Sequence, residues 1–147
     1  MVKSKLTIVE GADCSGKTTF VREEMQRKPW LKVYKAEMNW TGAMYANVLF
    51  ESLERPVLLE RCWLSDLIYS ILKRKEPNLS CMEFAWLQAN AEQYNVKLMV
   101  LRPPLDVLLN RYMSRGDDYI RKEEMSRLEN MYSRDLRFGT LPTDFFR

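Results

Sequence analysis

Ile8-Val9-Glu10-Gly11-Ala12-Asp13-Cys14-Ser15-Gly16-Lys17-Thr18-Thr19 is the stretch on which the fold turns. From Gly11 to Thr18 it has the spacing G-x-x-x-x-G-K-[ST], and it follows the short apolar run Leu6-Thr7-Ile8-Val9. A few apolar residues closed by glycine is how a buried parallel strand reads. Gly11 and Gly16 let the backbone wrap closely around phosphate oxygens, with successive N–H groups forming an anion nest. A helix opening near Gly16 aims its positive end at the same phosphates. In a loop of this kind Lys17 reaches the β- and γ-phosphates and the Thr18 hydroxyl ligates Mg²⁺. Cys14, Ser15 and Thr19 complete the nucleotide-binding set, so ATP with Mg²⁺ is expected. The rival dinucleotide fingerprint, G-x-G-x-x-G, does not occur. Cys14 sits where a helix N-terminus can activate a thiol, with an inert small filler as the plain alternative.

Outward from this loop, helices and strands alternate. The helix begun in the loop should run to about Arg27 and stop at Pro29. Leu31–Ala36 reads as a second strand, Thr41 caps a helix to about Leu53, and Val57–Leu59 is a third strand. Leu64, Leu67, Ile68, Ile71 and Leu72 fall at helical spacing after a start at Trp63 or Ser65, and Pro77-Asn78 ends that helix. Ser80 and Glu83 form a capping box for a helix to about Tyr94. Val96–Leu101 is a fourth strand, followed by helices over about Leu105–Ser114 and Arg121–Leu136. The tail from Phe138 leaves room for a short fifth strand. The expectation is an α/β fold of the P-loop NTPase type, a parallel sheet of roughly four to five strands flanked by helices. Such sheets bind ligands beyond the carboxyl ends of their strands, which singles out the segments after Val9, Ala36, Leu59 and Leu101.

The 147 residues fit a single domain, 1–147, without repeats or long linkers. No apolar run approaches the roughly 18 residues of a membrane span. The start of the chain does not read as a signal peptide, so a cytoplasmic protein with no membrane partner is expected. The net charge of +3 permits an anionic ligand without arguing for a nucleic-acid coat. Three scattered cysteines lack the spacing of a disulfide framework or a zinc site. Histidine is absent, which excludes His-based triads, histidine general bases and most zinc hydrolase sites. Chemistry must rest on carboxylates, Lys, Arg, a bound metal and backbone dipoles.

A second constellation, Leu59-Glu60-Arg61-Cys62-Trp63-Leu64-Ser65-Asp66, closes the third strand. In a parallel sheet this end lies beside the phosphate loop. Glu60 there can hold Mg²⁺ or accept a proton from an acceptor hydroxyl. Arg61 can clamp a phosphate that acquires charge during transfer. A surface Glu–Arg pair of slight energetic consequence is the plain alternative.

With both motifs in view, the chain resembles known kinases. Ile8 to Thr19 resembles the thymidylate kinase loop, including its strand-terminal Glu10 and Asp13 two residues after the first glycine. That likeness implies a sugar-holding role for Asp13. Glu60-Arg61 with Ser65-Asp66 is similar instead to the deoxynucleoside kinases, which implies a base role for Glu60 and phosphate contact for Arg61. The chain is shorter than typical members of either family and looks like the compact versions that phages encode.

Asn110 to Arg121 reads as a lid, about 111–121, that closes over ATP. Arg111 and Arg115 are four apart and share a helix face, Gly116 serves as hinge, and the two arginines supply transition-state charge. A solvated helix end, with Arg115 satisfied by Asp117-Asp118, is the alternative. Arg121-Lys122-Glu123-Glu124 reads as an exposed helix start. For an acceptor base, Trp40, Tyr45, Trp63, Tyr69, Trp86, Gln88 and Asn90 are the candidates.

The expected reaction is ATP-dependent phosphoryl transfer to a deoxynucleoside monophosphate. Alternative acceptors are a deoxynucleoside 5′-hydroxyl or a hydroxyl carried by DNA; a nucleotide-binding regulatory domain is the non-enzymatic alternative. Lys17, Glu60, Arg61, Arg111 and Arg115 would carry catalysis, and Thr18 with Glu60 the metal. Assembly as a homodimer is left open.

Overall fold

Four short strands carry the molecule's central layer. The structure is a computed structural model that describes residues 2–115 and 119–139. β1 (Leu6–Glu10) leads through the glycine loop into α1 (Lys17–Arg27), then β2 (Lys32–Lys35), α2 (Gly42–Glu51) and β3 (Val57–Glu60). α3 (Trp63–Lys73), α4 (Cys81–Gln93), β4 (Lys97–Val100), α5 (Leu105–Arg115) and α6 (Lys122–Tyr132) follow. All strands are parallel, in the order β2-β3-β1-β4. The α/β fold expected from the sequence is the one observed, with element ends moved by a few residues. The fifth strand considered for the tail lies largely outside the described residues, which hold four.

Side-chain alternation along the central strands sorts residues onto two faces. Leu6, Ile8, Val57 and Leu59 pack with Tyr45, Val48, Leu49 and Leu87 from α2 and α4. Val9 and Leu58 turn the other way, onto Val21 and Phe20 of α1. A third cluster joins α3, α5 and α6 through Ile68, Leu72, Leu108, Ile120, Met125 and Leu128. The Ser80–Glu83 capping box is present, and the second Glu83 oxygen also accepts from the Gly42 N–H at 3.1 Å, tying the starts of α4 and α2 together. No helix among the described residues is long and apolar enough to cross a membrane.

Adjacent parallel strands end at the same edge, so β1 and β3 deliver their following residues to one place. Val9 is in register with Glu60, and the Arg61 N–H donates to the Val9 carbonyl at 2.9 Å.

Candidate active site

The glycine loop adopts the conformation its spacing demands. Gly11 has φ 149° and Gly16 φ 99°; a Cβ on Gly11 would come within 2.8 Å of the Leu101 carbonyl beyond β4. Cys14 also lies in the left-handed region, at φ 65°. Lys17, the first residue of α1, is buried and folds back over its own loop. Its Nζ donates to Gly11 O (3.0 Å), Ala12 O (2.7 Å) and Ser15 Oγ (3.1 Å). Burial above all, and then the Arg61 charge, pull the Lys17 ammonium down to about 7, against the carboxylates of Glu10, Asp13 and Glu60. Thr18 and Thr19 stand exposed on the next positions of the helix.

Past the sheet edge, strand parity separates two carboxylates. Glu60 shares a face with Leu58 and Val9, the α1 face, so it points toward the phosphate loop and adds to the field on Lys17. Lys35 Nζ approaches its Oε2 at 3.8 Å. Glu10 lies on the opposite face, fully buried, and Ser65 Oγ sits 2.8 and 2.9 Å from its two oxygens. Burial lifts the Glu10 carboxyl above its ordinary range, while Arg61, Ser65 and Lys17 pull it back down.

Arg61, at φ 68°, is held in the left-handed region between β3 and α3, a conformation uncommon for residues other than glycine. Its support is a dense set of bonds. Nη2 donates to Asp13 Oδ1 at 2.6 Å, and Nη1 to Gly11 O at 3.2 Å, Ser65 Oγ at 3.1 Å and Tyr132 Oη at 3.3 Å. Tyr69 Oη also donates to Asp13 Oδ1, at 2.7 Å, and the Arg61 guanidinium lies 5.2 Å from the Tyr69 ring centroid.

Beside this cluster opens a cavity of about 510 Å³, within the range of small-molecule sites. Asp13 and Arg61, paired with each other, line it beside the loop, Glu37 lines it from the segment after β2, and Trp40, Tyr45, Tyr69 and Tyr119 supply aromatic wall. Asp66 lines it too, but its two oxygens accept the Asn78 and Leu79 N–H groups at 2.9 and 3.0 Å and so hold the 77–79 turn as the cavity's rim.

Of the segment the sequence marks as a lid, Arg111 reaches the loop: its Nη1 donates to the Cys14 carbonyl at 3.0 Å. Arg115 is exposed at the end of α5 and makes no hydrogen bond to the loop among the described residues. The hinge Gly116 and Asp117-Asp118 lie outside the described residues. Beyond them the chain is tied down. Lys73 Nζ donates to the Tyr119 carbonyl and pairs with Glu124 at 2.7 Å, and Tyr119 stacks on Tyr69 at 6.3 Å. Glu124, expected on an exposed helix start, is therefore buried, because the helix it opens packs its first turn against α3.

Several expected placements are changed. Glu60 does not line the cavity, since alternation along β3 turns it to the α1 face. Asp13, grouped with the ATP loop, faces the cavity instead. Trp63 is core: fully buried at the start of α3, it donates to Gln88 Oε1 at 2.7 Å. Trp86 packs on Phe50, and Asn90 donates to the Trp86 carbonyl, both away from the cavity. Trp40, Tyr45 and Tyr69 do line it. Two residues went unnoticed in sequence. Glu37 follows Ala36 directly, in a segment the carboxyl-end rule had already marked, whereas Tyr132 carries no local signal.

No family model matches the sequence, and no curated protein matches it. Among solved structures it is similar to the YorR protein from Bacillus subtilis in complex with phosphorylated GDP. That match has 20% identity and a TM-score of 0.65, over 87% of this chain and 77% of that one. It is similar also to deoxyadenosine kinase from M. mycoides. The form with bound dATP gives 13% identity and a TM-score of 0.56, over 87% and 82% of the two chains. The form with bound dCTP gives 16% and 0.54, over 87% and 81%. At such identities the likeness is one of fold: a parallel sheet flanked by helices, with the glycine loop after its first strand.

Proposed function

We propose that this protein transfers the γ-phosphoryl group of ATP to a nucleoside-class acceptor, with a deoxynucleoside 5′-hydroxyl as the acceptor group. One observation carries the reading: Glu37, Arg61 and the loop residue Asp13 all line one cavity, and Arg61 also donates to Gly11 O of the glycine loop. ATP would lie over the loop, displacing Lys17 from the Gly11 and Ala12 carbonyls onto its phosphates. Glu37 accepts the hydroxyl proton, the oxygen attacks the γ-phosphorus in line, and ADP departs. Lys17, Arg61 and Arg111 meet the charge on the transferring group. The exposed Thr18 hydroxyl and Glu60, on the same face of the sheet as Lys17, suit Mg²⁺, which keeps only one or two protein oxygens beside phosphates and water. When bound, the ion neutralises phosphate charge.

The sequence favours a monophosphate acceptor; the charge of the cavity supports the nucleoside instead. Asp13, Glu37, Asp66 and Glu76 line it against Arg61 and Lys75 alone, and Arg61 is already paired with Asp13. A dianionic phosphate would meet more carboxylates than cations there, whereas a neutral nucleoside would not. The thymidylate kinase-like reading keeps support from Asp13 in the loop and from Lys75 at the rim. An ATP-consumption screen over deoxynucleosides, their monophosphates and short DNA tests the proposal. Turnover is expected with deoxynucleosides at a kcat/KM above that of the monophosphates. Preference for monophosphates or DNA would reassign the acceptor, and tight ATP binding without turnover on any of them would sink the kinase reading.

A further inference from the structure

Tyr132, the last residue of α6, is fully buried and touches groups some seventy positions away. A buried phenol costs free energy unless its hydroxyl is bonded, so this position asks for Phe unless the oxygen has a task. Its oxygen lies 2.7 Å from Ser65 Oγ and accepts from Arg61 Nη1 at 3.3 Å.

Proton counting gives the chain a direction. Ser65 has one hydroxyl hydrogen, and both oxygens of Glu10 stand within 2.9 Å of it. With Glu10 ionised, Ser65 donates to Glu10, so Tyr132 must donate to Ser65. The remaining lone pairs of Ser65 and Tyr132 then face Arg61 Nη1 together. Asp13 fixes the other guanidinium nitrogen. Gly11 O and Asp13 belong to the loop that ATP must engage; Ser65 and Tyr132 hold Arg61 from behind.

We propose that Tyr132 is a positioning residue for phosphoryl transfer: through Ser65 and by direct contact, its hydroxyl holds the Arg61 guanidinium in the orientation in which it meets the transferring phosphate. This rests on the reading of Arg61 as the phosphate clamp. It also gives the C-terminal helices one task. α6 packs on α5 through Leu108, Ile120, Met125 and Leu128, while Arg111 of α5 grips the Cys14 carbonyl. One packed unit thus sets both arginines, Arg111 against the loop and Arg61 against the acceptor cavity.

The test is Tyr132→Phe in the wild-type and the Arg61→Ala backgrounds, with steady-state kinetics and thermal melting on the full chain. In the wild type, kcat should fall about tenfold with both KM values changed less than about twofold. In the R61A background the same substitution should change kcat less than about twofold, because the group it acts through is gone. Ser65→Ala cuts the same chain from its middle and should give the same pattern; should Y132F fail to fold, S65A carries the comparison. Equal fractional losses in both backgrounds, or an unchanged kcat with a lowered Tm, would overturn the proposal. If R61A keeps wild-type kcat, or no acceptor is found, the clamp reading or the kinase reading has failed instead. A crystal structure of Y132F then decides the positioning claim: a guanidinium displaced from Ser65 supports it, and one that has not moved refutes it.

Discussion

The glycine loop and the cavity it borders are built in opposite ways. The loop is local: Gly11 to Thr18 supplies its turns, its amide nest and its lysine from eight consecutive residues. The cavity is assembled from the segments after β1, β2 and β3, from α3 and from the chain beyond α5, and its buried supports reach α6. Contiguity makes the loop's geometry a property of backbone conformation, with positive φ at Gly11, Cys14 and Gly16. The cavity's geometry is a property of tertiary packing. On the proposed function, binding phosphate is coded in one short stretch, and choosing an acceptor is spread over most of the chain.

The largest effect should come from the local side. Lys17→Ala removes the cation that phosphates draw out of the loop, and kcat should fall on the order of 10³-fold. Acceptor binding, measured by calorimetry without ATP, should be unchanged, since Lys17 does not line the cavity. A comparable loss of acceptor affinity would show that the two regions are not separable.

Next come Glu37, beyond β2, and Glu60, the last residue of β3. Glu37→Gln should cost about 100-fold in kcat on a nucleoside, the contribution of a general base, with the Mg²⁺ dependence unaltered. Glu60→Gln should instead raise the Mg²⁺ concentration needed for half-maximal rate. An exchange of these two phenotypes would return the base role to Glu60.

That exchange is instructive about what a sequence displays. The order of the elements, the caps at Thr41 and Ser80 and the glycine loop follow from neighbours in the chain, and they were legible with element ends off by a few residues. Glu60 was legible as functional, but the face it occupies depends on the register of β3 against β1. Trp63 is settled as core in a similar way. It follows the motif closely in sequence, yet as the first residue of α3 it turns into the sheet and bonds Gln88. Glu37 is a lone acidic residue after a half-exposed strand, marked only by the rule that ligands gather at carboxyl ends. Tyr132 has the apolar spacing of an ordinary core helix, and only the folded chain brings its hydroxyl to Arg61.

A smaller effect should appear in the loop's proton balance. With Lys17 drawn down to about 7, the lysine of the empty loop is largely neutral at pH 8 and charged at pH 6. Phosphates favour the ammonium, so ATP binding at pH 8 should take up about one proton, falling toward zero at pH 6. Calorimetry in buffers of different ionisation enthalpy reads this directly. Uptake that does not vary between these pH values would mean that Lys17 stays charged in the closed loop, and K17A should abolish the uptake if Lys17 is its source.

The smallest effect lies at the cavity's outer support, where Lys73 holds the start of α6. The Lys73 ammonium first, and then the Arg121 N–H, keep the Glu124 carboxyl down at about 2, below its ordinary 4.5. A depressed carboxyl contributes stability that is fully present above 4.5 and is lost as pH falls toward 2. Glu124→Gln should therefore lower Tm at pH 7 by about 2–4 °C, and the gap from wild type should close over that acid window. Because Lys73 also binds the Tyr119 carbonyl and Tyr119 lines the cavity, loosening this anchor should raise KM for the acceptor more than KM for ATP. An equal rise in both would mean that α6 supports the loop and the cavity alike, and the contrast between a local donor site and a distributed acceptor site would have to be redrawn around the C-terminal helices.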